Sequence, residues 1–316
     1  MERRYFNNIP KNVLIVGDIM LDRYISGKQV RRSQEAKGFI FDQEEAFECL
    51  GGASNVAINI LPFVQKVSLM GMLGADWQGN SVQQLLKESG ISSDLFVLKE
   101  KTHYKQRFYL SDKMIFRVDR DSDERLTTRE LEFLSAKLTP LHFDAIVVSD
   151  YAKGMVTQEL YDMLIDFAIL HKIPVFVDPH PQSKVNYRGC LYLVPNMLEA
   201  LALVCASLSD KNSLEKLTSK LSAKYYSSII ITDGANGAYV FQKDERYVEH
   251  VPGRKIKSNN VCGAGDTFLA AFVYATLAGY PCRDSVQIAN AAASIVATKP
   301  GTATITLEEL NRILEL

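Results

Sequence analysis

Val13-Leu14-Ile15-Val16-Gly17-Asp18, residues 13–18, is an unbroken apolar run that stops at a glycine and an acid. A strand with one face in water alternates apolar and polar residues. A run with no polar member fits a strand covered on both faces, as in a parallel sheet with helices on either side. The same form returns at Ala145–Val148 before Ser149-Asp150, and at Pro174–Val177 before Asp178. It returns again at Leu191–Val194 before Pro195-Asn196, and at Ser228–Ile231 before Thr232-Asp233-Gly234. Helix-like stretches at 158–171 and 213–225 lie between several of these runs. The alternation predicts an α/β fold, a central, mostly parallel sheet flanked by helices. Ligand-binding groups in such sheets gather at the carboxyl ends of the strands, where the polar residues just named stand.

Two segments depart from this pattern. Residues 23–50 are charged with interspersed aliphatic and aromatic side chains, and residues 104–119 read YKQRFYLSDKMIFRVD, two alternating runs around Ser111-Asp112-Lys113. The second is a β-hairpin pattern. Together the segments at about 23–50 and 102–120 are expected to form a small β-sheet lid over a single domain spanning 1–316.

Composition narrows the function. Lys plus Arg is 36 and Asp plus Glu is 37, so no basic excess points to nucleic acid or to an anionic membrane. The 5 cysteines include no CxxC pair and the 5 histidines no HxxxH spacing, which argues for reduced thiols in the cytoplasm and against a zinc site. The opening MERRYFNNIPKN lacks the apolar stretch of a signal peptide. The apolar run Phe268–Tyr280 is shorter than the about 20 residues needed to span a bilayer and reads as a buried helix.

The chemistry-bearing signal is Asn260-Val261-Cys262-Gly263-Ala264-Gly265-Asp266-Thr267-Phe268. A Gly-Ala-Gly turn opens the apolar helix, and small residues let the backbone approach a ligand closely. The free N–H groups and positive dipole end of the helix suit an anion. Asp266, in the first turn, is either a capping residue or a catalytic base. A second opening, Gly51-Gly52-Ala53-Ser54-Asn55, is either a tight turn with a capping amide or a ligand-facing helix start.

Together the two elements resemble the paired signatures of the ribokinase (PfkB) family of sugar kinases, and further matches fall in order across about residues 12–314. Asp18 and Asp22 in GDIMLDRY are similar to the family's early substrate-binding acids. Asn196, Met197, Leu198 and Glu199 resemble its NxxE motif. Thr232, Gly234 and Gly237 resemble its nucleotide loop, and Asn290 its late asparagine beside the adenine. Within the family, GDIMLDRY, GGASNVAINI, SDYAKG at 149–154, KPGTATI at 299–305 and the basic hairpin are most similar to kinases of D-glycero-D-manno-heptose 7-phosphate.

The resemblance implies a ribokinase-like fold, ATP and Mg2+ as cofactors, and a homodimer paired through its lids. Asp266 would be the base, with Gly263, Ala264 and Gly265 holding the transferring phosphoryl group. Gly51, Gly52, Asn55, Asp18 and Asp22 would grip the sugar. Lys105, Arg107 and Lys153 would meet its phosphate; the alternative reading of these residues is a solvated, charged lid surface. Glu199 would hold magnesium through water, and Asp178 either assists or is a plain strand-end acid. Asn260 and Cys262 stand where relatives carry an acid and a threonine near a monovalent-cation site, so weak potassium dependence is expected. Alternatives are a kinase of another sugar or a nucleoside, and a non-catalytic sugar- or nucleotide-binding homologue. A dinucleotide oxidoreductase is excluded, because no GxGxxG follows the first strand.

Overall fold

A computed structural model of the chain describes residues 12–35, 37–111, 113–206, 214–245, 247–254, 263–299 and 303–314. In chain order these form β1 (Asn12–Gly17), β2 (Ile19–Arg32), β3 (Phe39–Gly52), α1 (Ala53–Ile60), β4 (Lys66–Gly74), α2 (Trp77–Ser89) and β5 (Ser92–Lys99). There follow β6 (His103–Leu110), β7 (Lys113–Arg120), α3 (Thr128–Leu138), β8 (Ala145–Ser149), α4 (Gln158–His171), β9 (Val175–Asp178), β10 (Tyr192–Leu193), α5 (Met197–Leu203) and α6 (Leu214–Tyr225). The rest are β11 (Ser228–Thr232), β12 (Gly237–Phe241), β13 (Glu249–Pro252), α7 (Ala264–Leu277), α8 (Cys282–Val296) and α9 (Leu307–Leu314).

Nine of these strands make one sheet in the order β13-β12-β11-β10-β9-β8-β1-β4-β5. Pairing is parallel from β11 to β5, and antiparallel only at β11–β12 and β12–β13. The apolar runs are covered on both faces, as their composition requires. Val13 and Ile15 enter one buried cluster with α1, α7 and α8, while Leu14 and Val16 enter the opposite one with α3, α4 and α6. Ala145 and Val147 divide from Ile146 and Val148 in the same way. Each strand therefore feeds two cores through the two-residue period of its side chains.

The remaining four strands form the lid, in the order β3-β2-β6-β7. The hairpin stands where its alternation placed it, with Lys105 opposite Asp119 and Arg107 opposite Arg117. The first lid segment is wider than residues 23–50, running from Ile19 to Gly52. Only Asp18 separates β1 from β2, and β3 passes directly into α1, so the lid is a continuation of the sheet's carboxyl edge rather than an insertion into a loop. Asp22 and Tyr24 pair with Lys105 and Arg107 on the neighbouring strand, which puts all four on one lid face.

Gly17 marks the close approach of β1 to β8. A Cβ there would lie 1.9 Å from the Ser149 carbonyl oxygen, a backbone atom that cannot swing aside. Gly17→Ala is expected to lower unfolding stability by about 2–3 kcal/mol in urea titrations, the range of core overpacking. A loss under about 0.5 kcal/mol, the surface-substitution range, would show that the strands separate easily.

Candidate active site

The carboxyl ends of β1, β8, β9, β10 and β11 deliver Asp18, Asp150, Asp178, Asn196 and Thr232 to one edge of the sheet, and α7 begins beside them. Two adjoining cavities open there. One, of ≈ 200 Å³, is lined by Asp150, Tyr151, Asp178, Glu199, Gly263 and Asp266 among others. The other, of ≈ 490 Å³, is lined by Thr232, Gly234, Gly237, Ala264, Phe268 and Asn290 among others, and it shares Asn196, Thr232 and Gly265 with the first.

Asp266 lies on the wall of the smaller cavity, 8% exposed. It does not cap its own helix. Gly263 occupies the N-cap in a left-handed conformation, φ 81°, and no side chain caps α7, which leaves the first-turn N–H groups for a ligand. The carboxylate is held elsewhere. Asn55 Nδ2 donates to Oδ2 at 2.5 Å and the Tyr151 hydroxyl donates to Oδ1 at 3.2 Å. Burial pushes the Asp266 carboxyl up to about 6, with the Asn55 and Tyr151 hydrogen bonds pulling the other way. Asp178 is raised well above the usual carboxylate range, first by burial and then by the negative charges of Glu199, Asp266 and Asp150. Burial also raises Asp150 and Glu199.

The structure redistributes several residues assigned from sequence. Asp18 accepts backbone hydrogen bonds from Tyr151 at 2.9 Å, Lys153 at 3.1 Å and Met155 at 3.0 Å. Its two oxygens anchor the loop after β8. Lys153 is drawn into an ion pair with Asp121, which also faces His103 at 3.5 Å. Arg107 is buried, lies 3.0 Å from Asp22, and places its guanidinium over the Tyr24 ring. Lys105 lies over the Tyr151 ring, and burial lowers the pKa of its ammonium. Arg117 is paired with Asp119.

Gly51 and Gly52 are where backbone must be bare. A Cβ on Gly51 would meet the Asp22 carboxylate at 2.9 Å, and one on Gly52, at φ 59°, would lie 2.3 Å from the Asp18 carbonyl oxygen. Asn55, Asp22, Lys105 and Arg107 line neither cavity; Asn55 reaches the smaller one through Asp266 and Lys105 through Tyr151. On the other side, Asn196 and Glu199 form a reciprocal capping box at the start of α5. Met197 packs into the core and Leu198 is 69% exposed, so neither lines a cavity. Only the first and last members of that motif face the site, as helical spacing dictates. Asn290 donates to the Val251 carbonyl at the rim of the larger cavity. Asn260 and Cys262 lie outside the described residues. Tyr151 and Asp150 sit in a stretch singled out from sequence, but neither had been assigned a role in it. Asp121 carried no signal, since its partners come from the other end of the lid and from the loop after β8.

A buried acid at an uncapped helix start, flanked by a small acidic cavity and a larger glycine-lined one, is how a phosphoryl-transfer site is laid out. The model of the pfkB family carbohydrate kinases matches residues 10–310. The chain belongs to that family. It is 33% identical over 303 residues to the bifunctional protein HldE of Sulfurimonas denitrificans, covering 94% of this chain and 63% of that protein. It is 32% identical over 306 residues to HldE of Vibrio vulnificus, covering 96% and 63% respectively. The chain thus spans less than two thirds of the length of these relatives. Among solved structures, phosphofructokinase-2 from Escherichia coli in complex with potassium superposes with a TM-score of 0.79 at 17% identity, over 97% of this chain and 98% of the other. Ribokinase from Arabidopsis thaliana complexed with ribose and ATP gives 0.74 at 17% identity, over 97% and 99%. The fold of this sugar kinase is therefore ribokinase-like, as the motifs implied.

Clustered carboxylates leave a thermodynamic trace. Asp178 has a folded-state pKa raised above its unfolded value, so its ionisation opposes folding: the penalty is absent near pH 4 and grows as pH rises toward the folded pKa. Asp178→Asn should therefore gain stability over the unmodified chain at pH 8, with the gain shrinking toward pH 5 in denaturant midpoints taken without added metal or nucleotide. A gain that does not change with pH would show that Asp178 is not strained by its neighbours.

Proposed function

We propose that this kinase transfers the γ-phosphoryl group of ATP to the anomeric hydroxyl of D-glycero-β-D-manno-heptose 7-phosphate. The product is the 1,7-bisphosphate, a precursor for the lipopolysaccharide core. The observation that carries the kinase reading is Asp266, buried on the wall of the smaller cavity, pinned by two donors and pushed up to about 6. A base titrating close to the working pH accepts a hydroxyl proton efficiently. The sugar O–H bond breaks to Asp266, the sugar oxygen bonds to the γ-phosphorus, and the β–γ bridging oxygen leaves with ADP. The first-turn N–H groups of α7, at Ala264 and Gly265, suit the equatorial oxygens of the transferring group. The larger cavity, with Gly234, Gly237, Phe268, Asn290 and Ala293 on its walls, suits the nucleoside.

The smaller cavity fits magnesium. Four carboxylates and no Lys or Arg line it, and their mutual repulsion is what a hard divalent cation relieves. Among the described residues no three of His, Cys, Asp and Glu come close enough to hold a metal together, so Glu199, with Asp178, would hold it through water. When bound, the ion neutralises charge on the ATP phosphates.

The heptose assignment rests on the resemblance of the substrate-side strings and on relatives named HldE that match across nearly the whole chain. It also rests on the cations Lys105 and Arg107, set beside Asp22 on the lid face. A substrate bringing its own phosphate accounts for a half-buried lysine there. The opposite lid face carries exposed Phe116 and Val118, with Phe41 and Phe108 packed on Phe116, which supports a homodimer formed through the lids. No helix among the described residues is long and apolar enough to cross a membrane. The cysteine pattern supports reduced thiols, and so a cytoplasmic location, with residues 10–310 forming a kinase domain.

Asp266→Asn should cut kcat at least about 100-fold while ATP binding is retained. Near-normal turnover in that variant would end the mechanism. Lys105→Met tests the substrate phosphate more cleanly than a change at Arg107, whose loss would also orphan buried Asp22. It should lower kcat/KM for the sugar phosphate about 10- to 150-fold, the worth of one charged hydrogen bond, with little change in KM for ATP. Equal use of heptose 7-phosphate and free sugars across a substrate panel would overturn the sugar-phosphate assignment and leave the sugar kinase intact.

A further inference from the structure

Behind Asp266 runs a chain of buried side-chain hydrogen bonds that the phosphoryl-transfer reading does not use. Thr267 Oγ1 donates to Asn59 Oδ1 at 2.7 Å. Asn59 Nδ2 donates to the Asn55 carbonyl oxygen at 2.9 Å and to Asn55 Oδ1 at 3.1 Å. Asn55 Nδ2 donates to Asp266 Oδ2. Asn55, Asn59 and Thr267 are each no more than 1% exposed, so none of them exchanges a partner with water.

The direction of an amide is an inference from its neighbours, and here one neighbour is unambiguous. The Asn55 backbone carbonyl can only accept. Asn59 must therefore turn Nδ2 toward it, which leaves Asn59 Oδ1 facing Thr267. The Thr267 hydroxyl has one proton, and of its two acceptors Asn59 Oδ1 at 2.7 Å lies nearer than the Gly263 carbonyl at 3.0 Å, so Asn59 takes it. Asn55 Oδ1, beside a donor, must then accept, and its own Nδ2 is left pointing at Asp266. A backbone group at the start of α1 thus dictates what Asp266 sees on α7.

We infer that Asn59, held by Thr267, is a positioning residue that locks the Asn55 amide with its donor toward Asp266, so that the amide cannot turn over to accept a proton from the acid. This rests on Asp266 being the base. A free asparagine would serve both states of the acid, donating to the carboxylate and, after flipping, accepting from the protonated form. The locked one serves only the carboxylate. That preference opposes the burial that favours the neutral acid. Other groups facing Asp266 are the Tyr151 hydroxyl from the loop after β8, Asp178 from β9, Asp22 from β2 and Lys105 from β6. Of these, Tyr151 is a hydroxyl rotor and adapts to either state; only Asn55 is fixed.

The test is the pH profile of kcat/KM, measured with ATP and whichever sugar phosphate of the panel turns over fastest. Asn59→Ala frees the Asn55 amide. The acid-limb midpoint should rise by about one pH unit, the effect of about one hydrogen bond's preference for the charged form. Activity at pH 6 should then drop about fivefold, and at pH 8.5 less than about threefold. Thr267→Val, nearly isosteric, should move the midpoint the same way by less, and Thr267→Ser should restore the wild-type midpoint. An Asn59→Ala profile reduced by one factor at every pH, or a Thr267→Val midpoint equal to that of Thr267→Ser, reduces the chain to packing and overturns the inference. If Asn59→Ala shows no cooperative thermal transition, the Thr267 pair alone decides. A wild-type profile without an acid limb, or an active Asp266→Asn, would instead strike the base reading itself.

Discussion

Asn55 and Asp266 are 211 residues apart in sequence, and their side chains meet in a buried hydrogen bond where the starts of α1 and α7 pack together. Both helices open without a side-chain cap, from glycines with positive φ. Those bare starts let two helix N-termini crowd one edge of the sheet, and the crowding strips water from Asp266. Burial alone would neutralise the acid; two donors hold it in a range where it can exchange a proton. The site depends on that balance between desolvation and hydrogen bonding.

The rest of the architecture supplies what the balance needs. A sheet covered on both faces aligns strand ends at one edge, so Asp150, Asp178, Asn196 and Thr232 converge without sharing any sequence neighbourhood. Asp18 spends its carboxylate on three N–H groups of the loop after β8, and that loop carries Tyr151, the second donor to Asp266. Tyr151 is also the surface on which Lys105 rests. A single tyrosine therefore lies between the lid cation and the base.

The same economy explains which cations are committed. Lys153 closes on Asp121 and Arg107 on Asp22, each joining one lid strand or its exit to another element. Pairs of this kind, partly or wholly buried, are costly to break from one side. They hold the lid's base, and Lys105 makes no ion pair among the described residues.

Apolar runs, the hairpin alternation and the Gly-Ala-Gly and Gly-Gly helix starts were legible in the sequence, because each is a local pattern whose period or steric demand names its own structure. The lid edges were misjudged at Ile19 and Gly52, since strand and lid join there with no turn residue between them. Side-chain partnerships were not legible. The composition of GDIMLDRY cannot say that Asp18 faces backbone while Asp22 faces a guanidinium. SDYAKG cannot say that its tyrosine touches an acid 115 positions later. Sequence alone determined which groups arrive at the sheet's edge, because strand ends and helix starts are local events. The tertiary structure alone decided which of them pair with each other and which face the cavity, because hydrogen bonding between buried groups depends on distances that only packing sets.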